Sequence, residues 1–399
     1  MLEQKIIITE TKGRRLTALF ENNKVVELHY SSDKTKPYRL GEIYVGKVKK
    51  ILPNKAGAFV EIGNHMECYY SLEEKCTPIF TAKYGKNALV AGDELLVQIY
   101  TEALKTKQPS VTGNLSFTGK YAVITSGNHT AGVSNKLGKV KKEELLAWWK
   151  ETAPSFPGKF GIIFRTNAGE APKDQILTDI QKLYTEYEQI IQYGKTRTCF
   201  SCIRKAEDSA ISILRDVRQD SLKEIVVDAV CENGELYRET ESFLKRELPE
   251  DLSLLRPYTD ASYPLVKCYN LEQETNLALL ERVWMKSGAY LVIQPTEALT
   301  VIDVNSGKCQ KKKQAFLQVN YEAAEEAARQ IRLRNLSGII LIDFINLSDM
   351  SEKEALMKHL QEELYLDRNP GKVVDMTKLQ LVEITRKKIR KTLTESLSD

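Results

Sequence analysis

The sequence predicts a multidomain α/β protein that also carries a small all-β barrel, and three observations lead there. Residues 42–118 hold several short strands broken by turn residues, in EIYVGKVKKIL, GAFVEIG, ECYYSL and ELLVQIY, which is the pattern of a small barrel. From about residue 277 onward, strands alternate with helices, which argues for an α/β layer domain. The chain, at 399 residues, is long enough to divide into roughly two to four domains.

Each element has a local reason. Residues 5–8 and 16–30 alternate apolar and polar about a polar turn, which predicts a β-hairpin. YAVIT and GIIFRT resume strand character around the polar helical stretch KVKKEELLAWWKETA, and an amphipathic helix is expected from Lys173 to about Lys205. Residues 207–280 mix helix with strands such as EIVVDAV. Beyond them AYLVIQ and ALTVIDV read as strands, and a basic loop follows. YEAAEEAARQIRLR is a helix of strong formers with an Arg-rich end, and EKEALMKHLQEEL is another helix. GIILIDFI is a nearly continuous apolar run, as expected of a strand buried on both faces. There is no internal repeat and no low-complexity tract.

Hydrophobic residues make up 42% and charged residues 28%, a globular balance and not a disordered one. The opening MLEQKIIITETKGRRL puts charges where a signal peptide needs an apolar run, and no stretch approaches a membrane span. The expected location is the cytoplasm. Seven irregularly spread cysteines (Cys68, Cys76, Cys199, Cys202, Cys231, Cys268, Cys309) suit a reducing compartment better than a disulfide framework. Cys199-Phe-Ser-Cys202 alone supplies half of a zinc site and reads as packing. The net charge of +4 is modest, but Lys308 with Lys311–Lys313 and the run Arg386, Lys387, Lys388, Arg390, Lys391 form two basic clusters.

Asp303 and Asp343 are the carboxylates that stand out, each toward the end of an apolar strand in TVIDVN and LIDFIN. A carboxylate among Val, Ile and Phe is costly to bury unless it is paired or bound to metal. A helical crossover between the two strands favours making them neighbours, which brings both groups to one sheet end. Oxygen ligands of this kind suit magnesium. Asn305, two residues on, shares the face of Asp303 and can orient it. The competing reading is a pair of strand-end aspartates that cap turns or helices. The four histidines sit in no suggestive setting and there is no GxxxxGK[ST] loop, so metal-assisted hydrolysis fits the polar groups best. Phe59 and Tyr69 on consecutive predicted barrel strands, with Lys107 later, have the composition of a base-stacking platform on an OB fold; packing inside a core is the commoner use of such rings.

These residues lie in stretches that resemble bacterial ribonuclease E/G along the whole chain. TEALTVIDVNSGK, NYEAAEEAARQIRLRNLSGIILIDFI and VEITRKKIRKTL are similar to that family's catalytic signature, in the same order, and GEIYVGKVKKILPNKAGAFVEIG is similar to its S1-type OB domain. The resemblance implies an RNase H-like subdomain split between residues 1–35 and 208–276. It implies an inserted S1-type domain at 36–118, a 5′-sensor at 119–207 and a DNase I-like α/β catalytic domain at 277–399. It assigns the metal aspartates to Asp303 and Asp343, the orienting asparagine to Asn305, and RNA contacts in the barrel to Phe59, Tyr69 and Lys107. The 5′-phosphate sensor falls on Arg165 and Thr166, supported by Val123; Arg can fork two hydrogen bonds to a terminal phosphate.

Three departures stand against the family pattern. Asn135 replaces a common sensor arginine, with Lys136 adjacent, which puts preference for a 5′-monophosphate in question. Asn346 stands where many relatives have another aspartate. After Arg390 the sequence reads KTLTESLSD, and with no cysteine beyond Cys309 a zinc-linked dimer is not expected; self-association needs another interface. The expectation is therefore a magnesium-dependent endoribonuclease of single-stranded RNA in rRNA and mRNA processing and decay, leaving 5′-phosphate and 3′-hydroxyl ends. Lys308, Arg329, Arg332, Arg386 and Lys387 are expected to neutralise phosphates. The alternative is a non-catalytic RNA-binding or scaffolding protein on the same fold.

Overall fold

Two tight turns, Lys12-Gly13 (φ 52° and 73°) and Asn22-Asn23 (φ 48° and 63°), fold the N-terminus into three strands, Gln4–Thr11, Arg14–Glu21 and Lys24–Tyr30. Positive φ at both turn positions matches the right-handed twist of flanking strands. One hairpin was expected here; the second turn makes it a meander. The structure is a computed structural model that describes residues 3–31, 38–53, 56–73, 76–84, 88–101, 108–217, 221–307 and 313–398.

The first strand also pairs in parallel with Leu222–Asp228, which in turn pairs with Leu255–Tyr258. The result is a five-stranded sheet built from two distant stretches of sequence. Both of its faces are covered. Ile6, Ile8 and Leu19 pack with Leu236, Phe243 and Leu244 on one side; Ile7, Leu16 and Ala18 meet Leu265, Leu271 and Leu333 on the other.

Between those stretches the chain builds two further units. Strands Ile43–Ile51, Gly57–Glu61, Glu67–Ser71, Ser110–Thr112 and Glu94–Thr101 close into a barrel, because the first also pairs with the last. Closure removes the free edges an open sheet would expose. A four-stranded sheet follows (Ser116–Thr118, Ala122–Thr125, Gly161–Phe164, Ala131–Val133), covered by helices Lys139–Thr152 and Lys173–Lys195. The second helix ends at Lys195, short of the expected end near Lys205. The chain instead turns through Phe200, at φ 69°, and Cys202–Arg204 adds a short strand beside the barrel.

The C-terminal part is a six-stranded sheet in the order Arg282–Trp284, Tyr290–Pro295, Leu299–Asn305, Gly338–Asp343, Leu381–Arg386, Lys372–Met376. Helices Lys313–Leu333 and Met350–Leu364 lie together on one face. Ala323, Ala324, Ala327 and Ala328 line the inner side of the first helix, so it approaches the sheet closely. Among the described residues no helix covers the opposite face. GIILIDFI is therefore not buried on both sides: Ile340 and Ile342 are fully buried, whereas Ile339 is 50% exposed and Asp343 is exposed.

The described cysteines are free, Cys199 half-buried and Cys202 exposed, and burial pushes the Cys199 thiol up to about 11. Among the described residues no helix is long and apolar enough to cross a membrane.

Candidate active site

Strands Leu299–Asn305 and Gly338–Asp343 are parallel neighbours, and Asp303 stands directly opposite Asp343 in their register. Neighbouring strands lie about 4.8 Å apart, so the two carboxylates project side by side from one sheet face. Alternation decides which face. Ile302, Val304, Ile340 and Ile342 turn inward onto the helices, which leaves both aspartates exposed on the open side. The costly burial that made them conspicuous in sequence is thus avoided by the pleat.

Asn305 lies on the same face and its Nδ2 donates to Asp303 Oδ2 at 2.6 Å, which fixes the carboxylate's orientation. A second positioning residue escaped the sequence reading. Asn320, fully buried in the Ala-rich helix, donates to the Ile345 carbonyl at 2.7 Å and accepts from the Ile345 N–H at 3.0 Å. It clamps the backbone just past Asp343. Its only signal was an amide in an otherwise apolar helix stripe. Glu383 was also missed; it stands opposite Leu341, diagonal to Asp343 on the open face. Asn346 is exposed in the loop after Asp343.

The donor set discriminates between metals. Among the described residues no three His, Cys, Asp or Glu side chains gather closely enough to cage an ion. Two adjacent exposed carboxylates fit a hard cation that keeps most of its water, which is how magnesium binds; a structural zinc site would call for Cys and His ligands. Asp303 and Asp343 are the residues that would hold it.

On the barrel, Phe59 and Tyr69 are directly opposed on adjacent strands, half-buried, with ring centroids 6.5 Å apart and an edge-to-face angle of 74°. Tyr69 lies over Gly57, where an added Cβ would stand 2.5 Å from the ring. Lys50 is exposed on the next strand, opposite Phe59, and is a cation the sequence reading did not single out. Lys107 and Lys308 lie outside the described residues.

Arg165 follows the strand Gly161–Phe164 and is tied by two carbonyl or carboxylate partners, the Gly119 carbonyl at 2.6 Å and the Asp216 carboxylate. Thr166 Oγ1 is 2.9 Å from Ser134 Oγ, Val123 is half-buried opposite Ile163, and Asn135 is exposed. Lys136 reaches the Asp367 carbonyl.

All three arginines expected to face phosphate make internal contacts instead. Arg332 is buried, 2.7 Å from Glu27 and 3.0 Å from Glu21. Arg386 is buried against Asp367, Asn335 and the Leu336 carbonyl. Arg329 binds Glu326 and the Val25 carbonyl. The Arg-rich end of the helix meets the five-stranded sheet, so Arg329 and Arg332 tie that sheet to the C-terminal part, whereas Arg386 pairs within the C-terminal part itself. Lys387 alone of the described members is exposed.

A family-wide profile, described as the ribonuclease E/G family, matches residues 116–389. The chain belongs to the ribonuclease E/G family. It is 30% identical to ribonuclease E of Synechocystis over 97% of its own length and 57% of that protein's. It is 29% identical to ribonuclease G of Haemophilus influenzae, covering 99% of this chain and 82% of the relative, and 28% identical to ribonuclease G of Escherichia coli, covering 98% and 81%. The chain therefore spans a little over half of the ribonuclease E relatives and about four-fifths of the ribonuclease G ones. The family match takes in the Asp303/Asp343 pair and Arg165 but begins after the barrel.

Proposed function

We propose that this chain is a magnesium-dependent endoribonuclease that cuts single-stranded RNA internally in the processing and decay of ribosomal and messenger RNA. The observation that carries the reading is the in-register pair Asp303 and Asp343 on an open sheet face, in a chain of the ribonuclease E/G family. A bound ion would supply an activated water and neutralise charge at the scissile phosphate, giving 5′-phosphate and 3′-hydroxyl ends.

The chain's own residues do the positioning. Asn305 orients the Asp303 carboxylate, and Asn320 holds the backbone behind Asp343. Phe59 and Tyr69 offer ring surface to unstacked bases, with Lys50 beside them for the phosphates. Arg165 already grips a carboxylate, and a terminal 5′-phosphate would take that place beside Thr166. In this reading residues 36–118 are an S1-type OB domain, 119–207 a 5′-sensor and 277–399 a DNase I-like catalytic domain. Residues 1–35 and 208–276 together form an RNase H-like subdomain, a joining supported by the parallel pairing of Gln4–Thr11 with Leu222–Asp228.

Incubating end-labelled single-stranded RNA with the protein and magnesium should give internal cuts that EDTA abolishes. Asp303→Asn should lose nearly all cleavage while RNA binding stays within a few-fold, since the barrel is untouched. Unchanged cutting by that variant would remove the site; binding with no cleavage by the unmodified protein would favour a scaffold.

A further inference from the structure

The open face that carries the carboxylates also carries an aromatic pair that no step above uses. Trp284 is 63% exposed, whereas Trp149 is buried and Trp148 half-buried. Its ring lies 4.9 Å from that of Tyr290, centroid to centroid, and the Arg282 guanidinium sits 4.6 Å from the Tyr290 ring and 5.8 Å from the Trp284 ring. Leaving so large an apolar surface in water is unfavourable unless something covers it in the working state.

Register places the trio beside the site. Trp284 is opposite Tyr290, and Tyr290 is opposite Asn305; Arg282 is opposite Val292, Val292 opposite Asp303, and Asp303 opposite Asp343. Two parallel rows thus run across one face, and Trp284 and Arg282 lie two strand spacings, about 10 Å, from Asn305 and Asp303. The hairpin that presents them is braced: the Glu322 carboxylate accepts the Lys286 N–H at 2.8 Å, and Met285 N–H donates to the Ala289 carbonyl at 2.9 Å. The platform needs no folding on binding.

We propose that Trp284 and Tyr290, with Arg282, form a base-stacking subsite on the catalytic face that holds a nucleotide flanking the cleaved bond. The chemistry selects single-stranded RNA as the occupant. The exposed Trp284 ring, backed by the half-buried Tyr290, offers a π face to any unpaired base, an adjacent guanidinium attracts the phosphate backbone, and the surface is continuous with the carboxylates. The subsite is separate from the barrel rings Phe59 and Tyr69, and the proposal rests on the endoribonuclease reading.

The test uses the full chain and a short single-stranded RNA with one cleavage site. Trp284→Ala should lower kcat/KM between about five- and a hundred-fold, the usual effect of removing one stacked base. Trp284→Phe should recover most of it. Scanning the RNA with single abasic nucleotides should find one position, next to the cut, where the unmodified protein falls to the Trp284→Ala rate and the variant falls no further. Active protein indifferent to Trp284→Ala overturns the subsite, as does a loss equal at every abasic position. A change in mass by light scattering in Trp284→Ala also overturns it, because the face would then be an interface between copies. If the unmodified protein cuts no RNA, the endoribonuclease reading fails by itself. RNA titrated into the unmodified protein then decides the platform: quenching of tryptophan emission that Trp284→Phe abolishes upholds stacking, and equal quenching in both removes it.

Discussion

Arg368 joins parts of the chain far apart in sequence, and replacing it gives the most quantitative test of how the units are held. Its guanidinium is 2.7 Å from Glu27 on the five-stranded sheet and 2.6 Å from Asp216, which also binds Arg165; Glu27 is shared in turn with Arg332 of the helix Lys313–Leu333. The side chains of Arg368, Glu27 and Asp216 are 23%, 3% and 23% exposed. Stripping a buried carboxylate of its sole partner costs about 3–5 kcal/mol. Here each carboxylate keeps one arginine and Arg368 is partly in water, so Arg368→Met, which preserves the stem, should cost about 2–3 kcal/mol. The first thermal transition, followed by near-ultraviolet circular dichroism at pH 7, should fall by roughly 4–12 °C.

The pH dependence of that loss has a definite sign. Burial alone would raise the Glu27 carboxyl, but Arg368 and Arg332 more than reverse it and hold it well below its ordinary range; burial likewise opposes Arg165 and Arg368 at Asp216, which also ends low. Depressed carboxylates contribute stability above their ordinary pKa of about 4, and that contribution disappears as pH falls below it. The gap between unmodified protein and variant should therefore be full at pH 7 and narrow as the pH drops through about 4. Equal transitions at pH 7, or a gap that widens in acid, would refute the reasoning.

Three further outcomes follow from the geometry. Arg165→Ala should erase any rate advantage of a 5′-monophosphorylated RNA over a 5′-hydroxylated one; equal rates on both in the unmodified protein would show that Asn135 has already disabled the sensor. Gly57→Val places carbon where the Tyr69 ring lies 2.5 Å from the Cβ position. It should weaken RNA binding by fluorescence anisotropy about as much as Tyr69→Ala, while Tyr69→Phe binds normally. Asn320→Ala leaves the part-buried Ile345 N–H and carbonyl without their side-chain partners, a cost toward the lower end of about 1–3 kcal/mol. It should lower kcat with little change in KM, and unchanged kcat would show that the clamp does not position Asp343.

What the sequence determined by itself is what local pattern encodes. Alternation and turn residues marked the barrel, and the strand–helix–strand order around YEAAEEAARQIRLR favoured neighbouring parallel strands, which would bring Asp303 and Asp343 within reach of each other. Asn305 followed from the two-residue repeat of a strand. Three things were decided only by tertiary structure. The pairing of Gln4–Thr11 with Leu222–Asp228 depends on contacts across more than half the chain. Whether GIILIDFI is covered on one face or two depends on where the helices pack, and they pack on one side. The role of each arginine depends on which surface its helix or strand end presents: Arg332 and Arg386 read as phosphate contacts because charge in a sequence carries no direction. In the fold they meet Glu27, Glu21 and Asp367, residues distant along the chain or beyond an intervening turn, and ion pairs of that kind are fixed by proximity in space.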